Sequence, residues 1–223
     1  IKILTYHNPK KENLNSFVLT NKLLQSTYLN FNAKQQISDS NVAAFFQRCN
    51  DIVVKNINNL NTEEVQIYRR NVFKFNCERH LKIFDTYNVI PKNCFGCYKV
   101  QIGLKTVMEL FKLYFVFDNL NLKNNNHRKC MIEFRTDIPG AYKGYVYCFS
   151  LDEANSIEAQ LTEILNKTIV KNFIIKVKRG CSEFGIAYPD YKDPKKNMKY
   201  NENWSNKEKI IDDELSKKDH SAK

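Results

Sequence analysis

Glycine is scarce in this chain, with six residues among 223, and that shortage excludes a good deal of chemistry. Loops that cradle nucleotide phosphates need clustered glycines, and neither a P-loop nor a dinucleotide-binding fingerprint occurs. A His-Glu-x-x-His helix and a Gly-x-Ser-x-Gly nucleophile elbow are missing as well. No apolar run reaches the roughly 18 residues that a bilayer span requires; residues 107–117 are strongly apolar but too short. No secretory pattern opens the sequence. The seven cysteines are an odd number, which fits poorly with a complete disulfide framework. These absences point to a cytoplasmic protein whose thiols are free or bind metal. The chain begins at Ile1 rather than Met, so a metal-free interaction domain of a larger protein is one reading.

What is present suits a folded domain. Hydrophobic residues make up 43% and aromatic residues 13%, enough to bury a core and to argue against disorder. Lys and Arg number 35 against 24 Asp and Glu, a net charge of +11. Residues 192–223 hold nine basic and seven acidic side chains, so most of that excess belongs to residues 1–191. A basic folded part favours an anionic partner, while Lys-, Asn- and Ile-rich composition by itself gives the same charge without any such role.

The apolar spacing divides the chain. Phe17, Leu19, Leu23 and Leu24 suggest a short helix. Ser40 can cap a clearer one, with Val42, Phe45, Phe46, Cys49, Ile52 and Val53 on its stripe. Thr62 can cap a third, with Val65, Tyr68, Val72, Phe75 and Leu81 inward. After Pro91 the period changes to two: Tyr98, Val100, Ile102 and Leu104 alternate as a strand. Thr106 and Glu109 form a capping box ahead of the apolar 107–117 helix. Cys130, Ile132 and Phe134 are the inward positions of a second strand, and residues 144–149 make a third. Ser150 and Glu153 form another box, opening a helix with Leu151, Ala154, Ile157, Leu161, Ile164 and Leu165 on one face. Phe173, Ile175 and Val177 give a fourth strand. The expected fold is α+β: a helical region over 1–90, then a ferredoxin-like βαββαβ sandwich over 91–188. Its sheet would be four-stranded and antiparallel with both helices on one face. Residues 189–223 lack a sustained apolar face and read as a charged peripheral tail.

Cysteine placement carries the main chemical expectation. Cys94 and Cys97 form a Cys-x-x-Cys pair, with Gly96 letting the turn between them tighten. In the expected topology Cys130, Cys148 and Cys181 fall at the same sheet edge, all on the helix-covered side. Four or five thiolates there would suit zinc or an iron–sulfur cluster. A second quartet, Cys77, His80, Cys94 and Cys97, has mixed zinc-ligand spacing. Buried cysteine also serves as plain apolar filler, the reading taken for Cys49. A thioredoxin-like role fits less well, because here the pair precedes a strand instead of opening a helix.

The opposite sheet face would expose Lys99, Arg135, Tyr145, Tyr147, Lys176 and Lys178. Aromatics that stack on bases, set among cations that meet phosphates, are the composition of a single-strand binder. Lys143-Gly144-Tyr145-Val146-Tyr147 is similar to the RNP1 segment of the RNA-recognition motif, which implies single-stranded RNA binding through those tyrosines. It departs from that pattern at Val146 and Ser150. The other reading of this face is an ordinary sheet surface, covered or half-exposed. Together these features lead to a cytoplasmic metal-binding module, zinc or iron–sulfur, that binds nucleic acid or a protein partner. The alternative is an enzyme or redox component with an iron–sulfur cluster at the Cys94–Cys97 edge.

Overall fold

The computed structural model describes residues 14–29, 31, 35–57, 66–69, 75–135, 138–169, 173–196 and 198–221. It is a mixed α+β structure. Two helices come first, α1 (Leu14–Gln25) and α2 (Asp39–Asn56), followed by a short strand β1 (Gln66–Arg69) and helix α3 (Cys77–Tyr87). A 3-10 turn over Lys92–Gly96 leads into β2 (Tyr98–Leu104), α4 (Val107–Asn119), β3 (Arg128–Ile132), β4 (Tyr142–Cys148), α5 (Leu151–Thr168) and β5 (Ile174–Arg179). Two short helices, α6 (Ser182–Ala187) and α7 (Pro189–Lys192), and a longer one, α8 (Ser205–Ser221), complete the described chain.

The strands lie in the order β1-β3-β4-β2-β5, every neighbouring pair antiparallel. Alternation decides which face is buried under helices. Val100, Ile102, Val146 and Cys148 belong to the main core with Leu113, Val116, Phe117, Leu161 and Leu165 of α4 and α5. The capping box at Thr106 is present: its hydroxyl accepts from the Glu109 amide at 3.2 Å, and the Glu109 carboxylate accepts from the Thr106 amide at 3.0 Å. Ser150 caps α5 by accepting from the Glu153 amide at 3.1 Å, but the expected box is not closed on Ser150, since the Glu153 carboxylate accepts from the Phe149 amide at 2.7 Å. Gly144 is required where α4 crosses β4, since a Cβ there would run into the Leu113 and Phe117 side chains. On the outer side of α4, α2 packs Phe45 edge-on to Phe115 at 5.0 Å and Phe46 against Phe111 at 4.1 Å. Cys49 sits in that core as apolar filler.

Several expectations are corrected. Residues 66–69 are a strand, not part of a helix begun at Thr62; Thr62 itself lies outside the described residues. A short apolar run reads equally as helix or strand, and pairing with the free edge of β3 decides it. Ser38, not Ser40, caps α2, accepting from the Asn41 amide at 3.2 Å. β3 ends at Ile132, so Phe134 is 71% exposed instead of inward. The tail does not hang free. Ile211 of α8 is buried with Ile83 of α3 and Val89, and Arg79 of α3 pairs with Glu208 and Asp212. A narrow apolar stripe with buried charge pairs is enough to dock it.

Candidate functional site

One corner of the sheet gathers four thiols from three chain segments. The first two come from the turn that precedes β2. The Cys94 amide donates to the Pro91 carbonyl at 2.9 Å and the Cys97 amide to the Cys94 carbonyl at 3.2 Å, a tight 3-10 geometry that holds the pair close. The third is stitched to them by backbone, because the Gly180 amide donates to the Cys97 carbonyl at 2.8 Å. Gly180 has φ +57°, and the Tyr191 ring lies over it where any side chain would stand. The Tyr191 hydroxyl donates to the Cys94 carbonyl at 2.6 Å, locking the turn from the other side.

That left-handed residue changes where Cys181 goes. By simple alternation it would follow Ile175 and Val177 onto the helix-covered face. Instead its sulfur lies 3.6 Å from the ammonium of Lys99, on the opposite face. Cys77 reaches the same face at the start of α3. It follows Asn76, which is left-handed at φ 50°, and Phe75, whose ring packs 5.2 Å from Tyr147 and 5.7 Å from Phe149.

The electrostatics reflect this convergence. Burial, then the charges of Cys181, Cys97 and Cys77, push the Cys94 thiol far up. Burial, with Cys181 and Cys77 adding to it and Lys99 opposing, pushes Cys97 to about 11. Burial alone would lower the Lys99 ammonium, but Cys181, Tyr147, Cys97 and Tyr145 outweigh it and move it upward. Among the described residues no three Cys, His, Asp or Glu side chains already stand as a metal-coordinating group. The four thiols are neighbours around Lys99, not a closed shell.

The remaining candidates go elsewhere. Cys148 and Cys130 both lie in the helix-covered core, on the face opposite Lys99. Cys130 is also displaced along the sheet: it pairs with Gly144, while Cys148 pairs with Tyr98 four residues further on. Half of that offset arises because β3 starts at Arg128, two residues before Cys130, and half because Arg128 pairs with Val146, two residues before Cys148. Burial, then Glu153, lifts the Cys148 thiol to about 12, and burial alone lifts Cys130. His80 turns away from Cys77 toward α8, where Arg79, Glu208 and Asp212 are the charges that act on it, and its Nε2 is buried without a partner. The mixed Cys77, His80, Cys94, Cys97 quartet is therefore split.

The second sheet face is basic, as expected, but it is not open. Tyr145 is 6% exposed, and Lys99 and Lys178 are buried, while Tyr147 is half-buried against Phe75 and His127. Neither tyrosine offers a free ring for a base to stack on. Three ammonium groups surround Tyr145: Lys178 at 5.3 Å, Lys129 at 5.6 Å and Lys99 at 5.9 Å from the ring centre. Arg135 and Lys176 are exposed. Arg135 grips buried Glu133 with two bonds of 2.9 Å and also pairs with Glu183, strapping α6 across this face. Lys129 and the fully buried Lys143 were missed by sequence reasoning, although they share the outward parity of Met131 and Tyr145. Both precede the residues at which apolar alternation becomes visible. No protein-family model matches this sequence, and no match to it was found among curated proteins or among solved structures.

Proposed function

We propose that this chain is a thiolate metal-binding module, with Cys77, Cys94, Cys97 and Cys181 as the ligands. The observation that supports it is the convergence of thiols from α3, the 92–96 turn and the segment after β5 on one buried lysine. Thiols raised by burial are protonated at neutral pH, so a metal would displace their protons on binding. Four thiolates around Zn²⁺ carry a net charge of −2, and Lys99, donating toward Cys181, is placed to offset it. Drawing Cys77 inward would close a tetrahedral shell of the structural kind, pinning α3 and β5 to the sheet. The strand order β5-β2-β4-β3, with α4 and α5 on one face, supports reading residues 91–188 as ferredoxin-like. Seven free cysteines suit a reducing, cytoplasmic setting, and the basic charge suits an anionic partner.

The test is protein purified without oxygen and analysed for metal. Colourless protein with one zinc per chain supports the reading. Brown protein with iron and sulfide moves the same quartet to an iron–sulfur cluster and a redox role. Absence of stoichiometric metal, or metal retained in a Cys94→Ser/Cys97→Ser double variant, overturns it.

A further inference from the structure

The inward-packed lysines of the second sheet face have no use in the metal reading beyond Lys99. Lys178 stands directly across β2 from Lys99 in the strand register, and Lys99 in turn faces Tyr147 on β4. Like charges set opposite one another weaken a sheet, and these two are also buried, at 7% and 8% exposure. Lys178 reaches the Ser182 hydroxyl at 3.2 Å and lies 5.3 Å from the Tyr145 ring. Both are neutral groups. The charges acting most strongly on it are other cations, Lys99, Lys192, Lys143 and Lys176, and with burial first among the causes its ammonium falls to about 7. Lys143 stands further along the same face, opposite Gly103 and two same-face rows from Lys99; it is 1% exposed and its ammonium lies 3.7 Å from Glu133, a carboxylate already gripped by Arg135. Buried cations facing one another are ordinarily paired with an anion.

We infer that Lys178 and Lys99, with the Tyr145 ring beside both, form a site for a compact phosphate-class oxyanion. A small tetrahedral anion accepts several N–H bonds at once and would offset both facing ammoniums. A polymer backbone does not fit this chemistry, since Tyr145, Lys99 and Lys178 are buried and Tyr147 is half-buried. The inference shares Lys99 with the metal reading but turns on Lys178, on which no thiol is among the strong influences.

The full chain, metal-loaded and chelator-treated, is titrated with inorganic phosphate, pyrophosphate and AMP by calorimetry and thermal unfolding. Saturable binding with a rise in Tm is expected for the wild-type chain and for Lys123→Met, whose exposed side chain lies in the loop before β3 and is not among the charges acting on Lys178. Lys178→Met should bind at least tenfold more weakly while its Tm in phosphate-free buffer is no lower, since a buried cation facing Lys99 has gone. AMP binding as well as phosphate assigns the end group of a nucleotide, and AMP failing while phosphate binds assigns the free anion; either sustains the inference. No saturable binding, equal binding in Lys178→Met, or tighter binding of a single-stranded oligonucleotide than of any small anion overturns it. Phosphate binding that persists in the Cys94→Ser/Cys97→Ser variant sustains the inference whatever becomes of the metal reading, and binding lost along with the metal overturns it as a separate site.

Discussion

The ammonium of Lys99 lies 3.6 Å from the sulfur of Cys181, although strand alternation alone would set the two on opposite faces of the sheet. Gly180 makes the contact possible by turning the chain through the left-handed region immediately after β5. The contact ties the thiol corner to the lysine-rich face, and it gives the site its first prediction. Hydrogen-bond partners of metal ligands are typically worth 10- to 100-fold in metal affinity. Lys99→Met should therefore weaken zinc binding by about tenfold or more, measured by competition with a chromophoric chelator. Unchanged affinity would detach Lys99 from the centre.

Gly180→Ala is expected to act twice. Its methyl would enter the volume held by the Tyr191 ring, at a backbone conformation that alanine adopts poorly. A cost of about 1–3 kcal/mol in urea unfolding is expected from that overlap. Metal content should fall too, because Cys181 and the Tyr191 contact with the Cys94 carbonyl are both displaced. A variant as stable as wild type, with full metal, would show that the turn has slack.

Acid stability should depend on Glu133. The Arg135 guanidinium, against the opposing effect of burial, holds its carboxyl down at about 2. A carboxyl depressed in the folded state contributes stability above its unfolded value of about 4.3, and that contribution is lost as pH falls toward 2. Wild type should thus lose stability between pH 5 and 3 more steeply than Glu133→Gln, which starts lower at pH 7. Parallel slopes in denaturant titrations at the two pH values would contradict the pairing.

Docking of α8 is expected to rest on Glu208. Its carboxylate accepts from Arg79 at 3.1 Å, from the Lys92 amide at 2.8 Å and from the Tyr200 hydroxyl at 2.8 Å. Glu208→Ala leaves the Lys92 amide and the Tyr200 hydroxyl without their acceptor while Arg79 keeps Asp212, at a cost of roughly 2–3 kcal/mol. Hydrogen exchange should show α8 amides losing protection first, while those of β2 and β4 keep theirs. Uniform loss across the molecule would mean that α8 is part of one cooperative unit with the sheet.

Local chemistry alone determined much of this protein. Alternation over 98–104 gave β2 with its inward face correct, because period-two patterning is a direct consequence of strand geometry. The capping box at Thr106 and the cap at Ser150 marked two helix starts to the residue, since side chain and amide lie three positions apart. The Cys94–Cys97 pair was marked by its own spacing. Tertiary structure decided which partners joined it. Cys130 was displaced by four residues along β4, and both Cys130 and Cys148 pack on the helix-covered face, which follows from pairing and not from residue type. Cys77, expected only in the second quartet with His80, comes to this corner because Phe75 anchors the start of α3 against Tyr147 and Phe149, a contact between residues more than seventy positions apart. Cys181 kept its place at the edge but changed faces at Gly180, where a single positive φ overrides strand parity. The tyrosine face kept its charge but not its exposure, because α6 and the Phe75 segment close over it. The sequence determined where each strand and helix begins its pattern; the packing of distant segments decided which thiols and lysines meet.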